Sequence, residues 1–591
     1  MKPSSQDSAV LAVRRIRIWF ALIIVIVAVF VVRLFYVEII HYNYYHQAAI
    51  SDQLKEYEIP ATRGLIEAQL GNQIVPIVLN QGLYTLFADP TLVTNATSAA
   101  DKIVSVIGGS SSTYKSQMQT PLTRYVVLAN KLTAAQSKEI LGFHLPGVST
   151  QIQDYRVYPD GDLASQLLGF VNNSGQGEYG VEQALNGKLA GKPGELKAFT
   201  DINGVPLIAS SKNVEKPAAN GNNVVLTVDA AMQSQMEQIL QSEAQKTKSK
   251  NLSAVIIDPN NGQIKAMANF PTYNPADYQN VTDPALFQNS AVTNAIEPGS
   301  SMKTLTTSAA LDQGVIQPNT SFYDPAHWVV DGFNITDIEQ DGGPRQQNIA
   351  SILALSLNTG AVWMLMQMGG GQINDKGITA WHNYMVNHFL LGQPTGVEQG
   401  YESAGYVPPA NLANPSIDLT YANTAFGQGV QVTAIQMAGA LSSILNGGTY
   451  YQPTLVDETI AANGKVSVNN PKILKHDTVA PKVGQELIPL MQNVVTTYLH
   501  EGFSFMSFPS NYLVGGKTGT AQIAQPGGGY YPNMYNGTYV GFVGGNKVQY
   551  VIVVFNIEPT VPGYAGAYGG QPVFADLAHM LINDGYVTPI T

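Results

Sequence analysis

The 591-residue chain has no cysteine, which excludes disulfides, thiolate-bound zinc, iron–sulfur clusters and a thiol nucleophile together. Charge is scarce as well, at 12% of residues against roughly 25% in soluble domains. Basic residues are outnumbered, 31 Lys and Arg to 42 Asp and Glu, and a net charge of −11 argues against a phosphate-neutralising surface and so against nucleic acid as a partner. The nine histidines are scattered without a His-Glu-x-x-His pairing, so no metal site is supported and no cofactor is called for. Covalent catalysis, if present, needs a nucleophile other than cysteine.

Long apolar runs are also missing, with one exception. Ile18 to Val32 is free of charge, and with Arg33 and Glu38 tolerated near an interface the stretch extends to Ile40, 23 residues in all. About 20 residues span a bilayer, and Arg33 can snorkel to head groups, so one transmembrane helix is expected at 18–40. A cleaved signal peptide would place a small-residue cleavage site here instead of Arg33, Leu34, Phe35 and the tyrosines of 42–45, and a buried core helix is rarely apolar on every face. Lys2, Arg14, Arg15 and Arg17 precede the helix, opposed only by Asp7. The positive-inside rule therefore predicts a cytoplasmic tail, 1–17, and an extracytoplasmic remainder.

That remainder is too long for one core. A first domain is expected over 41–215, where about Ile59 to Ser211 mixes short β-like runs such as Tyr84–Phe87 with glycine- and serine-rich turns, and 211–223, rich in Lys, Asn, Pro and Gly, reads as a linker. A second domain is expected over 222–591. It opens with a strand at Val224–Val228 and a helix capped by Asp229, then a hairpin from Ala254 to Ala268. Strands at Tyr539–Val543 and Tyr550–Phe555 and a helix at Val573–Ile582 close it. Helices between outer strands predict an α+β fold, an antiparallel sheet with helices on its faces.

Three short sequences carry the chemistry: Ser300-Ser301-Met302-Lys303, Ser356-Leu357-Asn358 and Lys517-Thr518-Gly519. Glu297-Pro298-Gly299 makes a turn before a helix at Thr304–Leu311, which puts Ser300 at a helix N-terminus where developing negative charge is favoured. Lys303, three residues on, shares its helical face and can take its proton. Ser356 can relay a proton, and Asn358 offers an amide to a peptide substrate. Lys517 and Thr518, on an edge strand, can hold a substrate carboxylate, and Gly519 admits close backbone approach. The N–H groups of Ser300 and Thr520 suit an oxyanion hole. Single motifs are weak: Ser112-Thr113-Tyr114-Lys115, expected in a glycine-serine loop, fits Ser-x-x-Lys, and Ser211-Lys212-Asn213 and Ser249-Lys250-Asn251 both fit Ser-x-Asn. Order and spacing make the case, 56 residues from Ser300 to Ser356 and 159 from Asn358 to Lys517.

On these motifs the chain resembles the class B penicillin-binding proteins, monofunctional D,D-transpeptidases. Leu226-Thr227-Val228-Asp229 with Gln233, Asp258-Pro259 with Gly262, Glu297-Pro298-Gly299-Ser300, Phe426-Gly427-Gln428-Gly429, Asn446-Gly447-Gly448 and Gly516 to Gln522 all fit the family. Arg63-Gly64 and Gly180-Val181-Glu182 resemble its non-catalytic pedestal. Three places depart: Ala68-Gln69 where an Asp-Arg pair is usual, Met302 for Phe, and Gly544-Gly545 for Ala-Pro. The resemblance implies attack by Ser300 on the penultimate D-alanine of a stem peptide, cross-linking of peptidoglycan, and acylation by β-lactams. It also implies partners in the lipid bilayer, a SEDS-type glycan polymerase and other division proteins, since Arg156-Val157-Tyr158-Pro159 leading to Gly169-Phe170-Val171 resembles the division-septum type more than the elongation type. The rivals are a β-lactamase or D,D-carboxypeptidase and a catalytically silent scaffold or sensor. No Glu-x-x-Leu-Asn element follows Asn358 to favour hydrolysis, and six intact motif residues argue against silence.

Overall fold

The computed structural model describes residues 5–45, 54–199, 214–337, 344–411, 413–525 and 527–591. They divide into two compact units, one of 1–61 with 191–220 and one of 62–190 with 221–591. The first holds an N-terminal helix, Ser5–Phe35, continued by a wider turn at Tyr36–Ile40. Its 28 residues from Val13 to Ile40 are long and apolar enough to cross a membrane, and none of that stretch is buried against protein. The same unit contains a small antiparallel sheet of Leu54–Ile59, Gly194–Phe199 and Val214–Lys216. Glu195 there accepts from Lys197 and Lys216, which pull its carboxyl down to about 2. The expected linker at 211–223 is therefore partly strand; its first three residues, Ser211-Lys212-Asn213, lie outside the described residues.

The second unit is built on a five-stranded antiparallel sheet. Its strands are β1 (Asn251–Ile257), β2 (Ile264–Phe270), β3 (Leu513–Ala524), β4 (Tyr530–Gly544) and β5 (Val548–Ile557), in the order β2-β1-β5-β4-β3. Both faces are covered, which is why the strands read as continuous apolar runs. On one face Val255, Ile257, Val540, Phe542, Val551 and Val553 join the larger core with α2 (Lys303–Asp312), α3 (Asn358–Met368), α4 (Ala434–Leu445) and α5 (Pro481–His500). On the other, Leu252, Ala254, Ile256, Tyr539, Val543, Ile552 and Val554 meet α1 (Ala230–Thr247) and α6 (Gln571–Asn583). The alternation is the period of two that a strand imposes. The expected cap is present, Asp229 accepting from the N–H of Met232, and the expected α+β architecture is the one observed. The Ala254–Ala268 hairpin closes through a wider turn than a two-residue Asn-Gly one, with Gly262 at φ +79°.

A second sheet ties residues 62–190 to the remainder of this unit. Ile66–Leu70 pairs in parallel with Asn223–Asp229, which pairs in turn with Val456–Ile460. Beneath it the buried Glu182 carboxylate accepts from Arg63 Nε at 2.8 Å on one oxygen and from Arg156 Nε at 2.9 Å on the other. Arg63 and Glu182, 119 residues apart, thus form a buried charge pair satisfied on both oxygens. Ser112-Thr113-Tyr114-Lys115 does not lie in a loop: it falls in a helix, Ser111–Met118, whose N-cap Ser110 the glycine-serine composition concealed.

Candidate active site

Ser300 is the second residue of a 3-10 turn, Gly299–Met302, that runs straight into α2. The turn is pinned by hydroxyls: Ser301 and Thr538 both donate to the Pro298 carbonyl at 2.7 Å. Gly299 takes φ +57° and lies so near β3 that a Cβ would sit 2.7 Å from the Thr520 carbonyl oxygen. A Cβ on Gly519 would run into the Pro298 carbonyl from the other side. Two glycines therefore let the turn and the edge strand pack backbone to backbone, which fixes Ser300 against β3.

Lys303 is fully buried one helical turn beyond the serine. Its Nζ lies 3.0 Å from Ser300 Oγ, 2.9 Å from Asn358 Oδ1, 3.3 Å from Ser356 Oγ and 2.5 Å from the Ser356 carbonyl. Ser356 has left-handed backbone, φ +59°, an uncommon conformation outside glycine, and this reversal turns both its carbonyl and its hydroxyl toward the amine. Asn358 opens α3, and its Nδ2 donates to the Thr336 carbonyl at 2.9 Å. The amide expected to meet substrate is thus already engaged at both ends within the protein.

On the other wall Lys517, also fully buried, reaches the Thr518 carbonyl at 3.1 Å and Thr518 Oγ1 at 3.3 Å. Lys517, Thr518 and Gly519 lie on β3, the sheet edge, paired with Val540, Tyr539 and Thr538. Thr520 Oγ1 accepts from the Gly566 N–H at 2.9 Å. Ser300, Ser356, Asn358, Thr518 and Thr520 open on one cleft of about 850 Å³, with Phe426, Tyr498, Phe503, Tyr535, Tyr564 and Tyr568 as its aromatic lining. The three motifs, far apart in sequence, converge there. Neither of the stray Ser-x-Asn and Ser-x-x-Lys matches that are described, at Ser249 and Ser112, lines it.

Other residues had no motif to announce them. Asp337 caps α3 from a distance, taking the Thr359 N–H at 3.0 Å and its hydroxyl at 2.5 Å, while Asp324 lies 2.9 Å from the same hydroxyl. Burial pushes the Asp337 carboxyl up, aided less by the neighbouring Asp324, against the two Thr359 hydrogen bonds and, more weakly, Lys303. Glu297 is likewise raised by burial and is held by the Gly429 N–H at 2.9 Å and the Tyr530 hydroxyl at 3.2 Å. Tyr498, on the last turn of α5, has its hydroxyl 2.8 Å from Thr518 Oγ1. None of these pairings is spaced in sequence in a way that marks it.

Similarity to known proteins extends over most of the chain. Residues 252–579 match the penicillin binding protein transpeptidase domain, and residues 58–226 the penicillin-binding protein dimerisation domain. Over 508 residues the chain is 30% identical to Stage V sporulation protein D of Bacillus subtilis, covering 85% of this chain and 76% of that protein. It is 27% identical over 548 residues to the probable peptidoglycan D,D-transpeptidase PbpC of Pseudomonas aeruginosa, covering 92% and 90%. A solved structure of penicillin-binding protein 3 from Mycobacterium tuberculosis, complexed with ampicillin, is similar with a TM-score of 0.66 and 25% identity over 90% of this chain and 97% of that one. The chain belongs to the penicillin-binding protein transpeptidases, in the class B form that sets a dimerisation domain ahead of the transpeptidase domain.

Proposed function

We propose that this protein is a peptidoglycan D,D-transpeptidase acting through an acyl-enzyme on Ser300. The observation that carries the reading is the convergence of Ser300 Oγ, Ser356 and Asn358 on Lys303 Nζ at the floor of the cleft. Lys303, as the general base, takes the Ser300 proton as Oγ attacks the penultimate D-alanine carbonyl, and the N–H groups of Ser300 and Thr520 receive the developing oxyanion. Ser356 hands a proton to the departing D-alanine amine. Lys517 and Thr518 hold the terminal carboxylate, with Gly519 leaving room for the peptide. An amine of a neighbouring stem peptide then attacks the acyl carbonyl, releasing Ser300 and closing the cross-link. Asn358 binds the donor's amide once its Nδ2 lets go of Thr336.

The same serine opens β-lactams, consistent with the ampicillin complex of the related structure. Residues 41–215 act as the pedestal and 222–591 as the catalytic domain, with 18–40 as a single-pass anchor. Arg14, Arg15 and Arg17 keep the N-terminus cytoplasmic, so the cleft faces the cell wall. In that place the partners are a SEDS-type glycan polymerase in the membrane and other division proteins.

The test is labelling of the full-length protein in detergent with a fluorescent penicillin, followed by mass spectrometry of the adduct and a time course of its loss. A stable adduct on Ser300 that Ser300→Ala abolishes supports the transpeptidase. Rapid loss of label points to a hydrolase, and labelling of Ser300→Ala at the wild-type rate overturns the assignment.

A further inference from the structure

Tyr498 belongs to none of the three motifs. It stands on the last turn of α5, the helix that packs along β3, and places its hydroxyl 2.8 Å from Thr518 Oγ1. The Nζ of Lys517 approaches the same oxygen at 3.3 Å. A threonine hydroxyl has one proton and two lone pairs, so its partners decide where the proton goes. Lys517 takes one lone pair as a donor. Between a phenol and an aliphatic alcohol the phenol is the more acidic donor and, with its oxygen conjugated to the ring, the weaker acceptor. The distance is compatible with either oxygen as donor, and acidity favours Tyr498 in that role, filling the second lone pair.

We propose that Tyr498 is the donor in this bond and a positioning residue that fixes the direction of the Thr518 hydroxyl, leaving its proton aimed into the cleft at the terminal carboxylate of the acyl donor. With both lone pairs occupied, the proton turns to the open side, the cleft that Thr518 and Tyr498 both line. An anion arriving there meets a donor and forms a charge-assisted hydrogen bond. Were Tyr498 the acceptor, the proton would be consumed and the carboxylate would meet a lone pair. Aromatic packing holds the phenol in position. Its ring stands edge-on to Phe503, centroids 5.4 Å apart at 84°, and Phe503 in turn packs on Phe505 and Tyr568. The inference rests on the reading of Lys517 and Thr518 as the carboxylate site.

The experiment uses two D-alanyl thioesters that differ only in the terminal group, one with a free carboxylate and one with that carboxylate amidated. The full-length protein in detergent is acylated by each. Tyr498→Phe keeps the ring and its contact with Phe503. It is expected to lower kcat/KM for the acid about tenfold, through KM, while the amide stays within about twofold of wild type. In a Thr518→Val background, adding Tyr498→Phe is expected to change neither substrate further. An equal loss on acid and amide, no loss on either, or a further tenfold loss in the Thr518→Val background overturns the proposal. Wild-type protein that does not prefer the acid at all overturns the carboxylate site itself, which separates failure of that reading from failure of the role given to Tyr498.

Discussion

Replacing Lys303 by methionine removes the amine and little else, because an unbranched side chain of similar length fills the same buried channel. The substitution has two effects, and their sizes differ. General-base assistance is worth about 10²- to 10⁴-fold, roughly 3–5 kcal/mol in the barrier to acylation. The acceptors left behind are the Ser356 carbonyl and Asn358 Oδ1, and an unsatisfied buried acceptor costs about 1–3 kcal/mol. Ser356 and Asn358 border the cleft, so water can replace the amine and the stability loss should fall at the low end of that range. The expected result is a protein that unfolds within a few degrees of wild type yet is acylated by penicillin at least a hundredfold more slowly. Lys303→Arg separates charge from proton transfer, since a guanidinium keeps the positive charge but does not deprotonate. It should be as slow as Lys303→Met. Stopped-flow acylation beside a thermal melt decides the matter: a folded Lys303→Met within tenfold of the wild-type rate would refute the base assignment.

Away from the cleft, burial raises the Glu237 carboxyl to about 7 from its ordinary 4.5. The folded chain then keeps a proton that the unfolded chain has released, so stability from this group is complete below about 4.5 and lost as pH rises through 7, about 3 kcal/mol in all. Both its hydrogen bonds, from the Ala164 N–H and the Gln233 amide, end on Oε1, which glutamine retains. Glu237→Gln is therefore expected to melt above wild type at pH 8 and level with it at pH 4.5; a gap that does not change with pH would contradict the assigned shift. Gly519→Ala drives a Cβ into the Pro298 carbonyl and the Thr538 hydroxyl, parting the Ser300 turn from β3. It should slow penicillin acylation at least tenfold and cost about 1–3 kcal/mol in denaturant unfolding, and unchanged labelling would show that the close approach is dispensable.

What could be read from the sequence was what local backbone dictates. A nucleophile at the start of a helix with its base one turn later is a contiguous pattern, and Gly299 and Gly519 are required by a steric contact that any fold of this kind must make. The sheet was equally legible, because β5 buried on both faces can be little else than Tyr550–Phe555 as an unbroken apolar run. Strand pairing between distant segments leaves no such trace. Composition near 211–223 suggested a clean break between domains, yet Ile66–Leu70 lies beside Asn223–Asp229 in one sheet, and 62–190 falls in one compact unit with 221–591. The same limit applies inside the site. Lys517-Thr518-Gly519 marks a candidate carboxylate-binding edge, but the direction proposed for the Thr518 proton depends on a tyrosine carried by a different element, twenty residues away. Asp337 supports α3 from outside any motif for the same reason. A motif specifies which atoms are present; the hydrogen-bond partners that orient them come from tertiary contacts, and at Thr518 that orientation decides whether an incoming carboxylate meets a donor or a lone pair.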